Sequence, residues 1–271
     1  MTSIRSEFHH HRPHHDRPGL PRLTRAQLTA LAAGALAGLV VWLVGLPDDP
    51  VWDTTWSALT VPAALVVGAG VGVGTIAATS RRRWRVVDMT VAAVLAVAGG
   101  LLLWGMNTAW TPLTTPIGRL YPPLPALLNG IWLLPGVLAG IVVRRPGAAL
   151  LAETVAAVIE AQLGGLWGFA SVYYGVIEGL GAEIVLALLL YRRFGPIAAL
   201  AAGAGSGIAL SVLDLTFYFA EYPAGQKLAY VVLSVLSGAV VAGGGAWALT
   251  RALARTGALA PLESGRAAER V

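Results

Sequence analysis

Four carboxylates stand inside apolar sequence between Pro146 and Arg193: Glu153, Glu160, Glu178 and Glu183. The run reads as two membrane helices bracketed by arginine pairs, Arg144–Arg145 and Arg192–Arg193. A carboxylate near the bilayer core costs a few kcal/mol, so such residues face a cavity and mark a site. No Lys or Arg lies between Pro146 and Arg192 to neutralise these acids from within. Protonation, a cation or a cationic ligand must do so. Tyr174 and Glu178 are four apart and share a helix face. At 1.5 Å of rise per residue, Glu178 falls roughly 10 Å inside the outer boundary, Glu160 near the external end of its helix and Glu153 close to mid-membrane.

Other polar and aromatic residues come to the same level. Gln162 is beside Glu160, Trp167 lies in the connecting turn, and Asp214 and Tyr218 are toward the external end of a later span. Trp104 and Asn107 end one span outside, while Asn129 and Trp132 begin the next. Carboxylates among Trp and Tyr suit a small aromatic cation, with cation–π contacts worth about 0.5–2 kcal/mol each. Glu178 and Glu160 are expected to pair with the charged or amino group, with Glu153 deeper. Trp132, Trp167 and Tyr174 would stack on rings, and Asn107, Asn129, Gln162 and Asp214 would orient the ligand by hydrogen bonds. Plainer readings stand beside these. Trp104, Trp110, Trp132 and Trp167 also fit an interfacial aromatic belt, Asn107 and Asn129 fit helix cross-links, and Glu153 and Glu183 fit packed structural acids.

Several chemistries are excluded. There is no GxxxxGKS phosphate loop, so the chain does not itself hydrolyse ATP. HExxH is absent, and all five histidines (His9, His10, His11, His14, His15) lie in the first 15 residues, so no metal or histidine-dependent site is expected in the spans. Ser206, Ser211, Ser234 and Ser237 have no His or Lys partner for a hydrolase dyad. Cysteine is absent, which removes thiol chemistry. No cofactor is expected.

The elements that position these residues are membrane helices. At 56% hydrophobic and 12% charged, with mean hydropathy +0.69, the 271-residue chain has about half the charge of a soluble domain. Residues 1–25 form a basic, His-rich tail too polar to fold, and no cleavable leader is expected. Eight spans follow, near Ala26–Leu46, Ser57–Ser80, Val86–Asn107, Leu124–Val143, Gly147–Leu163, Val172–Tyr191, Pro196–Phe219 and Lys227–Thr250. Residues 256–271 read as a disordered tail. The N-terminal tail, Arg81–Arg85, both arginine pairs and Arg251/Arg255 fall on one side, with Arg119 and Lys227 on the other. The positive-inside rule then places both termini in the cytoplasm of a multi-pass plasma-membrane protein. The net charge of +5 is thus a matter of topology and not of nucleic-acid binding. Small-residue seams (Ala92, Ala93, Ala96; Gly203 and Gly207; Gly238 and Ala242) point to close helix packing or a partner surface.

Three runs carry a family resemblance: WRVVDMTVAAVLAVAGGLLLWGMN from Trp84, NGIWLLPGVLAGIVVRRPGAALLAE from Asn129, and YGVIEGLGAEIVLALLLYRRFG from Tyr174. Residues 84–255 resemble the YkoE-type substrate-binding (S) components of energy-coupling-factor (ECF) transporters. The resemblance implies a six-helix core, with the two spans in 26–80 as additions to it. It also implies thiamine or its hydroxymethylpyrimidine precursor as ligand, and partnership with a transmembrane coupling protein and two ATPase subunits, through toppling in the bilayer. Ala92, Ala93 and Ala96 would dock the coupling protein. Such a chain is a transport subunit and not an enzyme. The residues alone leave three rivals: a proton- or cation-coupled secondary transporter using Glu153 and Glu183 as relay, a membrane enzyme, and a structural membrane protein.

Overall fold

An acid one turn into an apolar run is a helix start signal, and Asp88 supplies it. In the computed structural model, which describes residues 83–268 together with Gly74, the Arg85 backbone N–H donates to Asp88 Oδ2 (2.9 Å) and α1 spans Val86–Leu120. The expected tail 1–25 and the two expected spans in 26–80 lie outside the described residues. After α1 come a 3-10 segment (Leu124–Ile131), α2 (Leu134–Val143), α3 (Ala148–Gln162), α4 (Ala170–Leu188), α5 (Pro196–Phe217) and α6 (Ala224–Ser237). A π-helical stretch (Gly238–Gly244) joins α6 to α7 (Gly245–Arg255), and α8 (Glu263–Ala268) follows. There is no strand among the described residues. Among the described residues, five stretches are long and apolar enough to cross a membrane: Val86–Leu120, Leu124–Val143, Ala170–Leu188, Pro196–Phe217 and Ala224–Arg255. The fold is an all-α, multi-pass membrane bundle.

Two boundaries differ from the sequence reading. The third span is predicted to end near Asn107, whereas α1 continues to Leu120 through Pro112 and Pro116. Each proline removes one amide donor, from the carbonyls of Thr108 and Pro112. Both prolines are exposed, so the missing bonds fall on the side away from the bundle. The Thr114 hydroxyl donates to the Trp110 carbonyl (2.8 Å), and Tyr121 with Pro122 and Pro123 finally stops the helix. The fourth span is likewise two pieces, the 3-10 segment and α2, meeting at Trp132 and Leu133.

α3 lies between α1 and α4, and α4 between α3 and α5, while α2 runs through the middle with Val137, Ile141 and Val142 fully buried. The glycine seams are internal. A Cβ on Gly203 would sit 2.0 Å from the Gly238 carbonyl oxygen, so α5 and the π stretch meet backbone to backbone. The alanine stripe on α1 is also internal, which corrects the expected docking face. Ala92 packs with Val142, Val143 and Ala148, and Ala96 with Ala139 and Ala152, leaving Ala93 alone of the three exposed.

Glu183 is structural. Its carboxylate accepts the N–H groups of Gly147 (2.6 Å), Ala149 (3.0 Å) and Leu150 (3.4 Å), capping the start of α3, and the Tyr191 hydroxyl (2.7 Å). Leu190 and Tyr191 adopt left-handed backbone (φ 54° and 52°), which swings the buried Tyr191 ring back beneath α4. Glu183→Ala leaves helix-terminal donors and a buried hydroxyl unpaired. It is expected to cost about 2–3 kcal/mol of stability, read as a lowered thermal midpoint in detergent. Tyr191→Phe should cost less, since it removes one bond and leaves the cap.

The C-terminal stretch corrects a further expectation. Where a disordered tail is predicted from 256, the chain turns at Gly257 (φ 78°) and buries Leu259 and Leu262 against Trp84, Val87, Val91 and the α2–α3 corner. Two buried leucines are enough to pin it. An ion cluster accompanies this closure. Asp88, fully buried, pairs with Arg85 (2.8 Å) and Arg145 (2.7 Å), and Arg145 reaches Glu263 (3.4 Å).

Candidate binding cavity

A cavity of about 320 Å³ opens between α1, the 3-10 segment, α3, α4, α5 and α6, at the end of the bundle opposite the Asp88 cluster. Its volume is at the lower end of the ~300–1,000 Å³ range of small-molecule sites. Eight sequence-predicted residues line it: Glu153, Glu160, Glu178, Asp214, Asn129, Trp132, Trp167 and Tyr174. All four carboxyl groups are buried, and no Lys, Arg or His is among the described residues that form the wall.

The acids differ in what they already hold. Asp214 accepts the hydroxyls of Tyr230 (2.5 Å) and Tyr174 (3.0 Å), and Asn129 extends this network by donating to Tyr230 (3.0 Å) and Ser234 (2.8 Å). Glu160 accepts from Asn107 Nδ2 (2.5 Å) and the Ser171 hydroxyl (3.2 Å). Glu153 Oε2 takes the Gly136 N–H (2.5 Å), while its Oε1 is buried without a partner. Gly136 is needed there, because a Cβ would lie 2.6 Å from that carboxylate oxygen. The Glu178 carboxyl accepts no hydrogen bond from a described residue and lies within electrostatic reach of Glu153, Asp214 and Glu160. Glu178 and Glu153 Oε1 are therefore the uncommitted acceptors. The sequence reading instead ranked Glu160 with Glu178.

Three tryptophans form the apolar wall. Trp110, Trp132 and Trp167 meet edge to face, with centroids 5.4, 6.1 and 5.2 Å apart. Tyr174 leans on Tyr218 (6.2 Å), and Phe219 packs on Tyr230 (5.1 Å). Trp110, Thr114 and Gly118 of the wall follow from the continuation of α1, and the i, i+4, i+8 spacing places them on one face. Trp110 is read from the sequence as an interfacial tryptophan, while Thr114 and Gly118 escape that reading because Pro112 and Pro116 signal a loop. Tyr230 escapes it too, since its tie to Asp214 joins separate helices.

Two predicted residues do not line the cavity. Asn107 stands behind the wall as a brace: its Oδ1 accepts the Leu166 N–H (2.7 Å) while its amide holds Glu160, joining α1, α3 and the turn that carries Trp167. Gln162 is exposed at the end of α3, a correction with a simple cause. Two residues along a helix turn the side chain by about 200°, so Gln162 faces away when Glu160 faces in.

The bundle matches a solved structure, the crystal structure of an S-component of ECF transporter. The identity is 28%, the TM-score 0.64, and the match covers 69% of this chain and 94% of that one. A family model described as ABC-type cobalt transport system, permease component, matches residues 87–209. YkoE of Bacillus subtilis (strain 168), whose name describes it as an HMP/thiamine permease protein, is 31% identical over 189 residues, covering 68% of this chain and 92% of that protein. The chain belongs to the YkoE-type S components of ECF transporters, the substrate-binding subunits of these systems.

Proposed function

We propose that this S component captures thiamine or its hydroxymethylpyrimidine precursor from outside the cell, both termini being cytoplasmic, and delivers it through a transmembrane coupling protein driven by ATPase subunits. One observation carries the reading: a wall with four buried carboxyl groups, three tryptophans and no basic side chain among the described residues. The name of the Bacillus subtilis relative supports the same ligand class. Glu178 offers an unpaired carboxyl group to a thiazolium or to a ring amino group, with the buried Glu153 behind it adding negative charge. Trp110, Trp132 and Trp167 supply flat apolar contact, and the Asp214–Tyr174–Tyr230 network fixes the opposite wall. The coupling protein would meet the exposed side of α1, where Met89, Ala93 and Val97 project.

The rival ion-coupled transporter requires Glu183 as a relay partner of Glu153, and Glu183 is occupied as the cap of α3. Calorimetric titration of the full chain in detergent tests the proposal. Thiamine or hydroxymethylpyrimidine should bind with submicromolar Kd, below about −8 kcal/mol. Absence of binding by folded protein to both would reject it.

A further inference from the structure

We infer that the cavity admits its ligand only in the unphosphorylated form and discriminates against the phosphate monoester. The inference rests on the capture reading above and adds a specificity to it. A phosphate needs cationic side chains or a cluster of free N–H donors. Four buried carboxyl groups line the wall, and no cationic side chain among the described residues does. Arg119 and Lys227, the basic residues near this end of the bundle, are not part of the lining.

The donors that could compensate are already used. The Gly136 N–H is held by Glu153, the Leu166 N–H by Asn107, the Ser171 hydroxyl by Glu160, and the hydroxyls of Tyr174 and Tyr230 by Asp214. What remains are neutral donors, the indole N–H groups of Trp110, Trp132 and Trp167 and the hydroxyls of Thr115 and Tyr218. None of them donates to a described residue, and none carries a charge. Neutral donors of this kind match a ring nitrogen or a hydroxyl oxygen. They do not offset a doubly charged group placed among carboxyl groups that a cationic ligand would otherwise satisfy. Like charges brought together in a desolvated site are a strong rejection device.

The test compares two pairs of ligands on the purified full chain by calorimetry: thiamine with thiamine monophosphate, and hydroxymethylpyrimidine with its phosphate. Each monoester should bind about 100-fold more weakly than its alcohol. A gap below tenfold in the pair that binds overturns the inference while leaving the capture reading intact, and would implicate Arg119 and Lys227 as phosphate partners. Failure of both alcohols to bind removes the capture reading and this inference with it. A second measurement needs no tight binder: protection against thermal unfolding should be produced by the alcohols and not by the monoesters. Equal protection by both counts against the inference.

Discussion

Glu178→Gln is expected to weaken thiamine binding about 100-fold, or roughly 2.7 kcal/mol, without loss of the folded bundle. The side chain is buried at the cavity wall and accepts no hydrogen bond from a described residue, so the amide replaces it without stranding a protein partner. Its function in the capture reading is to place negative charge where the ligand's positive charge arrives. Thiamine carries a fixed cation and hydroxymethylpyrimidine does not, so the loss should be larger for thiamine. Calorimetry with both ligands separates the effects. Equal losses would make Glu178 a hydrogen-bond acceptor and not a counter-charge. A change under threefold for both would remove it from the site and leave Glu153 as the anchoring acid.

Asp88→Ala should be the most damaging single change to stability, costing about 3–5 kcal/mol. Its carboxylate is fully buried and bridges Arg85 and Arg145, and Arg145 is itself 7% exposed. Removing the acid leaves the Arg145 guanidinium buried with only a longer contact to Glu263 (3.4 Å). It also frees the Arg85 backbone N–H that Asp88 caps. Arg85→Ala, by contrast, removes a half-exposed partner and should cost about 1 kcal/mol or less. Thermal unfolding in detergent distinguishes the two. Equal shifts would mean that Asp88 acts as a helix cap and not as the counter-ion of Arg145.

What could be read before the structure, and what could not, divides along one physical line. Hydropathy and arginine placement report each helix separately, so the membrane class and the later spans were legible from runs such as Pro196–Phe217. Burial of unpaired acids is costly at any position in a membrane, so Glu153, Glu160, Glu178 and Asp214 could be marked without knowing their neighbours. Relations between helices could not be read. Glu183 reads from the sequence either as a packed structural acid or as a relay, and what decides for the first, the N–H groups it caps, belongs to α3, a different segment. Arg145 looked like a topology marker, and its buried partner lies 57 residues away. The alanines of α1 looked like a docking face because their spacing is right for any close contact, inside the chain or outside it. Proline misled in the opposite sense: its usual meaning of helix termination did not hold on an exposed face, and the outer part of the cavity wall was lost with it.

The brevity of α3 has a consequence for the lipid around the protein. Fifteen residues rise about 22 Å, short of the ~30 Å hydrocarbon thickness of a typical bilayer. The missing length is met by the turn that follows, where Leu163, Leu166 and Phe169 expose 45%, 58% and 80% of their surface. Part of the hydrophobic girdle at this point is therefore a loop, and hydrophobic mismatch falls on it and not on a rigid helix. That same turn carries Trp167 and is tied through Leu166 to Asn107 and Glu160. Acyl-chain length thus becomes a variable of the cavity: a thicker membrane pulls on a part of its wall that is not helical.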